Sequence, residues 1–253
     1  MGEGRYLYCV ANDNQKVSLG KIGIEGNEVY TIPYKNLCAV VHNCPAEPYE
    51  SEDSERVRNW VIAHERVVEL AWGKFGVVLP LSFDTIIKGE EGSDPEKNIK
   101  NWLKEDYENL KEKMTKVRGK AEYGVQIFWD PKIIADKIAQ TNEEIKKLDR
   151  EIKSKPEGAA YMYKHKLENL LKRDIEKEAD RCFKDLYERV KNCVDDIRVE
   201  KTKKEKGKQM LMNLSCLLPL DASKKLGEEL ERIDKMEEFS VHFTGPWPPY
   251  SFT

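Results

Sequence analysis

The stretch EYGVQIFWDP, residues 122–131, decides the fold class of this chain. From Tyr123 to Trp129 large apolar side chains recur at every second position, which is the period of a β-strand. Asp130 and Pro131 then supply a cap and a first-turn proline for a helix. A strand that passes directly into a helix predicts mixed α and β structure in the second half of the chain.

Two long charged helices are predicted after Pro131. The first has an apolar seam with spacings of four and three, as in coiled coils: Ile134, Ile138, Thr141, Ile145, Leu148 and Ile152. A break at 156–158 separates it from a second helix with a narrow apolar stripe that includes Leu167, Leu171 and Leu186. Two such helices joined by a short break predict an antiparallel helical hairpin.

The rest of the second half predicts further strands around one more helix. Its segments are a short strand at Ile197 and Val199, a lysine-rich turn at Lys201–Lys208, a strand at Met210–Leu218, a helix opened by Pro219 and Asp221, and a strand at Phe239–Phe243. With the strand at Tyr123–Trp129 the order is βα(α)ββαβ. This order is typical of ferredoxin-like folds, here with a helical hairpin in the first crossover.

The first half is predicted to be α+β as well. Its strands are expected at Tyr6–Val10, at 28–32 and 37–42 with Pro33 between them, and at 76–83 with an end near Pro80; residues 20–27 are predicted to form a loop. One helix should begin after Ser51 or Ser54 and stop at Gly73, and another should run from Asp94-Pro95 to Gly119.

These elements predict an α+β protein of two domains with a docked tail. The N-terminal α+β domain is assigned to residues 1–119, the C-terminal ferredoxin-like domain to residues 120–242, and the tail to residues 243–253.

Composition excludes several classes of function. Lysine and arginine number 43 against 46 aspartates and glutamates, a net charge of −3, so nothing global attracts a polyanion. A run of about 18 apolar residues is absent, and the first residues lack an apolar signal core, so a cytoplasmic protein is expected. Six cysteines without a CxxC pattern predict reduced, packed thiols.

Few residues indicate a catalytic or metal-binding site. His64-Glu65 begins an HExxH pattern, but position 68 is Val68, so a zinc protease is excluded and His64 is interpreted as a packed histidine on an apolar helix face. Cys38, His42 and Cys44 share one face of a strand, where a zinc or thiol site would need further ligands. No catalytic residue, metal site or cofactor is predicted, and no GxGxxG, P-loop or GxSxG pattern occurs.

The basic stretch KTKKEKGK, residues 201–208, is interpreted as a solvated hairpin loop. It lies between two predicted strands and has no interleaved aromatic residue for base stacking, so a nucleic acid partner is not expected.

The C-terminal segment FTGPWPPYSFT, residues 243–253, is the most unusual part of the sequence. Three prolines and a glycine forbid a helix and disfavour a sheet, while Trp247, Tyr250 and Phe252 need apolar cover. A stiff aromatic tail of this kind suits a groove, either on the same chain or on a partner. The predicted partner-binding or tail-docking residues are His64, Glu65, Thr244, Gly245, Pro246, Trp247, Pro248, Pro249, Tyr250 and Phe252.

Four segments carry a resemblance to a known family. TGPWPPYSF (Thr244–Phe252) resembles the C-terminus of the gas vesicle protein F/L family, and HERVVE (64–69), VVLPLSFDT (77–85) and YLYCV (6–10) are similar to its central region and first strand. The chain departs from the family pattern at Ser82, where arginine is usual, and at Asp84, where glycine is usual.

The resemblance implies a two-domain α+β protein without enzymatic activity. Such a protein would be an accessory or minor structural component that binds the hydrophobic major shell protein and other accessory proteins, and assists gas vesicle assembly in the cytoplasm. A small ligand-binding or enzymatic ferredoxin-like protein with a site near His64 stays open as the alternative.

Overall fold

The computed structural model of the protein describes residues 2–89, 94–202, 204–205 and 208–253. The chain divides into two compact units, which we call unit 1 and unit 2. Unit 1 contains Met1–Glu122 together with Pro246–Thr253, and unit 2 contains Tyr123–Gly245. The last eight residues of the chain therefore pack with its first half.

Unit 1 is built on an antiparallel sheet with β1 near its centre. Its strands are β1 (Glu3–Ala11), β2 (Ser18–Gly20), β3 (Val29–Tyr34), β4 (Leu37–Pro45), β5 (Val78–Pro80) and β6 (Ile86–Lys88). The order is β2-β3-β4-β1-β5, and β6 also pairs with β1. The pairings of β1 with β4, β5 and β6 are antiparallel, and so are those of β3 with β2 and β4.

The structure corrects the expectations for this sheet at three points. Pro33 does not separate two strands but lies inside β3, opposite Cys38, and the turn falls at Lys35, where φ is 50°. The expected glycine-rich loop at 20–27 contains the end of β2 and a short 3-10 turn at Ile24–Gly26. The strand β6 was not predicted, because three residues are too few to show an alternation.

The first helix, α1 (Ser54–Phe75), differs from the expectation at both ends. Asp53, not Ser51 or Ser54, is the N-cap: its carboxylate accepts hydrogen bonds from the backbone N–H groups of Glu55 and Arg56. The helix continues through Gly73 and ends at Gly76, whose φ of 73° is left-handed. Glycine has no Cβ and adopts this conformation without strain, so Gly76 is the stop signal.

Replacing Gly73 with alanine is expected to stabilise the protein. Gly73 is exposed inside α1 and a Cβ there meets nothing within 4 Å, so Gly73→Ala should raise the free energy of unfolding by about 0.5–1 kcal/mol. Gly23→Ala is the contrasting variant, because its Cβ would lie 2.8 Å from the Tyr8 hydroxyl and should destabilise the fold. Urea denaturation of both variants measures the two changes in the free energy of unfolding, which should have opposite signs. Changes of the same sign would contradict the surroundings described for Gly73 and Gly23.

The helix expected from Asp94-Pro95 to Gly119 is two helices. They are α2 (Pro95–Glu105) and α3 (Tyr107–Val117), separated by Asp106, whose φ and ψ are −97° and 9°. The Asp106 carboxylate accepts a hydrogen bond from the Asn109 side chain. The Asp106 carboxylate does not accept a hydrogen bond from the backbone N–H groups that open α3, so this break is not made by a side-chain cap.

Helices cover both faces of the sheet in unit 1. On one face, α1 packs Val67, Val68 and Ala71 against Tyr8 and Val40. On the other face, α2 contacts β1, β3 and β4. Burial on both sides explains why every residue of β1 from Gly4 to Ala11 is buried.

Unit 2 contains a second sheet. Its strands are β7 (Lys120–Trp129), β8 (Asp196–Val199), β9 (Lys204–Glu205), β10 (Lys208–Pro219) and β11 (Phe239–Trp247). The order is β11-β7-β10-β8, and β9 pairs antiparallel with β10. The predicted lysine-rich loop thus includes a short strand; Lys203, Lys206 and Gly207 lie outside the described residues.

The prediction that the tail avoids sheet structure is wrong for its first part. The strand β11 continues through Thr244, Gly245 and Pro246 to Trp247. This strand is at the end of the sheet order, and an edge strand tolerates a proline because one side of its backbone has no strand to pair with.

The helices of unit 2 are α4 (Pro131–Thr141), α5 (Glu143–Ser154), α6 (Glu157–Lys191) and α7 (Ser223–Asp234). Asp130 caps α4 as predicted, by accepting a hydrogen bond from the backbone N–H of Lys132. The first long helix is interrupted at Asn142, which caps α5 and donates a hydrogen bond to Asp174 on α6. A side chain that caps the next helix explains the interruption.

The predicted apolar seam between the long helices is confirmed at Ile138, Ile145 and Leu148, whereas Thr141 is exposed. Ile145 and Leu148 of α5 are buried with Leu170 of α6, and Ile138, Leu167 and Leu171 pack against them. The break before α6 comes at Pro156, and Gly158 lies inside the helix.

Candidate functional site

The end of the chain is held on unit 1. After Trp247 the chain passes through the buried prolines Pro248 and Pro249 into a 3-10 turn at Tyr250–Phe252. Phe252 is only 2% exposed. The proline pair and the phenylalanine therefore supply the apolar contact of this segment, which we call the tail (Pro246–Thr253).

Polar contacts anchor the tail beside its buried phenylalanine. The Glu122 carboxylate accepts hydrogen bonds from the backbone N–H and the hydroxyl of Ser251, both at 2.7 Å. The Thr253 hydroxyl donates to the Pro80 carbonyl at 3.2 Å. The Lys116 ammonium group lies 5.7 Å from the centre of the Phe252 ring. These contacts fix the tail within the 3-10 turn and at the residue that follows it.

Two tail aromatics point outward. Trp247 is 44% exposed and Tyr250 is 37% exposed, so the expectation that all three aromatics need cover is correct only for Phe252. Pro248, Pro249 and Phe252 are buried in the same segment, so the tail combines covered and exposed side chains.

A cavity of about 380 Å³ lies beside the outward rings. Its walls are Trp247, Pro248 and Tyr250 of the tail, Glu65 and Glu69 of α1, and Glu122. Partial burial raises the pKa of Tyr250, and the carboxylates of Glu65 and Glu69 raise it further. We call this feature the acidic aromatic cavity.

Only some of the residues that line this cavity were predicted from the sequence. Glu65 and the tail residues were predicted, whereas Glu69 and Glu122 were missed. The spacing of Glu65 and Glu69 by one helical turn was a usable signal, because residues at i and i+4 share a helix face. No local signal in the sequence could bring Glu122 to the same place.

A second cavity of about 400 Å³ lies elsewhere on unit 1. Its apolar walls include Val10, Leu79, Trp102 and Leu110, and Tyr250 also lines it. Because Tyr250 contributes to both cavities, Trp247 is the better probe of the acidic aromatic cavity.

His64 lies in the core of unit 1 and is 2% exposed. Its Nε2 lies 3.2 Å from the Leu81 carbonyl, which can only accept, so Nε2 carries the proton. Its Nδ1 then accepts a hydrogen bond from the Tyr6 hydroxyl at 2.9 Å, and Tyr6 in turn accepts from the Asp84 backbone N–H at 3.0 Å. A ligand could reach neither nitrogen without displacing one of these partners.

His42 forms a second buried group with tyrosines. Its Nδ1 lies 2.7 Å from the Tyr8 hydroxyl, and its Nε2 lies 2.9 Å from the Tyr49 hydroxyl. Tyr8 also accepts a hydrogen bond from the Ile24 backbone N–H. Burial lowers the pKa of both His42 and His64 to about 4, so both rings are neutral at pH 7.

The cysteines are free thiols, as predicted, and five of the six are buried, the exception being Cys193. Burial raises the pKa of Cys38 to about 12 and that of Cys44 to about 11, which keeps both thiols protonated. Within the described ranges, no group of three or more His, Cys, Asp or Glu side chains is placed to hold a metal ion.

The two departures from the family pattern lie in the segment that follows β5. Asp84 has a left-handed backbone, with φ of 66°, which explains why glycine suits this position. Its carboxylate accepts a hydrogen bond from the Tyr49 backbone N–H at 2.9 Å, which offsets part of the strain. Ser82 lines the second cavity.

The remaining predicted residues lie in the exposed end of β11. Thr244 and Gly245 belong to unit 2, and the side chain of Thr244 lies against Gly124 of β7. A Cβ on Gly124 would approach the Thr244 hydroxyl oxygen to 2.6 Å, so this strand pairing depends on the glycine. Pro246 begins the tail.

Two solved structures share this fold. The crystal structure of the gas vesicle protein GvpF from Anabaena sp. PCC7120 superimposes with a TM-score of 0.78 at 22% identity, covering 99% of this chain and 98% of that one. GvpF from Microcystis aeruginosa gives a TM-score of 0.67 at 20% identity, with 98% of each chain covered. Both likenesses support the mixed α+β fold.

The sequence comparisons define the family. The family model described as gas vesicle synthesis protein GvpL/GvpF matches residues 4–253. Gas vesicle protein L1 from Halobacterium salinarum is 28% identical over 261 residues, which cover 100% of this chain and 91% of that protein. The chain belongs to the GvpL/GvpF family, and the resemblance seen in the sequence is confirmed.

Membership in this family gives the protein a role in gas vesicles. The family and these relatives carry the names of gas vesicle proteins, and none of those names describes an enzyme. In the described part of the chain, no helix combines the length and apolar character needed to cross a membrane.

Proposed function

We propose that this protein is a non-enzymatic accessory or minor structural protein that binds the hydrophobic major shell protein and assists gas vesicle assembly. It would act at the gas vesicle in the cytoplasm, together with other accessory proteins. The observation that carries the proposal is the anchored tail, which holds Trp247 and Tyr250 outward on unit 1. Membership in the GvpL/GvpF family supports the cellular role.

The physical reason for such a partner is the solubility of the shell subunit. A subunit apolar enough to line a gas space would associate with itself through exposed apolar patches before it reaches the shell. Aromatic side chains fixed at a protein surface cover such a patch with little further loss of conformational entropy. Binding of this kind needs no covalent step, so neither a catalytic residue nor a cofactor enters the proposal.

We also infer that the two units are the two domains of the protein and that unit 2 is ferredoxin-like. The element order β7-α4/α5/α6-β8-β10-α7-β11 and the strand order β11-β7-β10-β8 support this inference. In this arrangement the helical hairpin of α5 and α6 would extend the first crossover of the domain.

A capture experiment tests the proposed function. Purified major shell protein should bind the immobilised full-length chain and aggregate more slowly in its presence. The double variant Trp247→Ser, Tyr250→Ser should weaken capture about tenfold, because outward aromatic anchors dominate protein interfaces.

Tyr161→Ser is the matched control, since Tyr161 is an exposed tyrosine on α6 of unit 2. Unchanged capture by this control, together with weakened capture by the double variant, supports the tail as the binding surface. No association of the shell protein with the wild-type chain would overturn the proposed function. Loss of capture in the Tyr161 variant alone would overturn the assignment to the tail.

A further inference from the structure

The acidic aromatic cavity has walls of two different kinds. Its lining combines the exposed rings of Trp247 and Tyr250 with the carboxylate side chains of Glu65, Glu69 and Glu122. Neither lysine nor arginine lines it in the described part of the chain. Two aromatic rings and three carboxylates around one cavity form a surface that attracts a cation and repels an anion.

The carboxylates of Glu65 and Glu69 on α1 are available to a ligand, whereas that of Glu122 is not. Glu122 is occupied by its two hydrogen bonds from Ser251, which hold the tail in place. Ion pairs between described residues include neither Glu65 nor Glu69. These two carboxylates lie one turn apart on α1, so both can face the same occupant.

The geometry selects an organic cation over a metal ion. Through the described ranges no three acidic side chains converge closely enough to ligate one ion, although three glutamates line this cavity. A volume of about 380 Å³ is also far larger than a bare ion requires. A planar guanidinium can stack on a tryptophan or tyrosine ring while its edge donates hydrogen bonds to carboxylates.

We propose that the acidic aromatic cavity binds the guanidinium group of an arginine side chain on a partner protein. Trp247 and Tyr250 stack against the guanidinium plane, and Glu65 and Glu69 accept its hydrogen bonds. Glu122 acts as a positioning residue, because it holds the tail through Ser251. This inference adds an electrostatic contact to the apolar contact of the proposed function and does not depend on which gas vesicle protein supplies the arginine.

The charge of the occupant is the first thing to measure. The full-length protein is labelled with 5-fluorotryptophan, and the Trp247 signal is assigned with the variant Trp247→Phe. It is then titrated with the peptide acetyl-Ala-Arg-Ala-amide at low salt. We expect a saturable shift of the Trp247 signal with a Kd in the millimolar range, and binding at least about tenfold weaker for the same peptide with citrulline, which is nearly isosteric and neutral.

Variants distinguish binding of the peptide in the cavity from its general attraction to negative surface charge. Glu65→Gln with Glu69→Gln should raise the Kd about five- to tenfold. Glu108→Gln with Glu112→Gln is the matched control, an exposed glutamate pair with the same spacing on α3, and should leave the Kd unchanged. Equal shifts with citrulline, no saturable shift, or equal weakening by the control pair would each overturn the proposal.

The experiment also separates this inference from the proposed function. Arginine binding without capture of the major shell protein would leave the cavity assignment intact and remove the shell protein as the partner. Capture that depends on Trp247 without arginine binding would overturn the cavity assignment and leave the proposed function intact.

Discussion

Lowering the pH from 7 to 5 is expected to reduce the free energy of unfolding by about 2 kcal/mol for each of His42 and His64. Burial holds the pKa of both rings at about 4 in the folded protein, below the value of 6.5 for an unfolded histidine. The unfolded chain therefore binds protons more readily as the pH falls below 6.5. These two histidines therefore lower the free energy of unfolding as the pH falls from 6.5 to about 4. Below pH 4 they change it little.

The window between pH 7 and pH 5 isolates the histidines. Ion-paired carboxylates such as Glu25 and Glu229 have a pKa below the value of 4.5 for an unfolded glutamate. Their protonation therefore lowers the free energy of unfolding mainly below pH 4.5. Urea denaturation followed by tryptophan fluorescence measures mostly unit 1, because four of the five tryptophans belong to it, Trp129 being the exception.

Single variants assign the pH effect to particular rings. His64→Gln should remove about half of the pH dependence, whatever its effect on stability at pH 7, because glutamine does not titrate. His165→Gln is the control, since the His165 side chain is 64% exposed on α6 of unit 2, outside the core of unit 1, and its loss should leave the pH dependence of unit 1 unchanged. A wild-type protein with equal stability at pH 7 and pH 5 would contradict the neutral, buried state of both rings.

Replacing Phe252 with alanine is expected to lower the free energy of unfolding by about 3–5 kcal/mol. The ring is almost completely buried on unit 1, and its removal leaves an apolar void beneath the tail. The neighbouring bonds from Ser251 to Glu122 depend on the same docked conformation. Urea denaturation measures the loss.

Trp247→Ala provides the control for Phe252→Ala. Trp247 is a comparably large aromatic side chain on the same tail, but its ring faces outward, so its removal should cost less than about 1 kcal/mol. Equal losses in the two variants would mean that Phe252 does not anchor the tail. The comparison also establishes whether Trp247 variants fold well enough for the binding experiments.

Part of the candidate site was predictable from residue types alone. The tail combines prolines that cannot extend a helix with aromatic residues that seek contact, so a docking segment was expected at residues 243–253. Its orientation was not. Pro248, Pro249 and Phe252 are buried while Trp247 and Tyr250 are exposed, and this choice depends on the surface of unit 1 to which the tail binds.

The boundaries of individual elements show the same division. Alternation at Tyr123–Trp129 and the apolar seam of α5 predicted a strand and a helical hairpin correctly, because these patterns are local and periodic. The breaks at Asp106 and Asn142 were missed, since a polar residue on a helix surface gives the same pattern whether it faces water or, as Asn142 does, caps a new helix.

Sequence by itself determined the α+β class, the reduced and packed thiols, and the membership of the chain in its family, because each follows from residue type, local period or a motif of adjacent residues. Only the tertiary structure decided that Glu122 holds Ser251, that two histidines are neutral in the core, and that three glutamates meet two aromatic rings. Glu122 and Ser251, for example, are 129 positions apart along the chain. Such contacts arise when elements far apart in sequence pack together, and no local pattern encodes them.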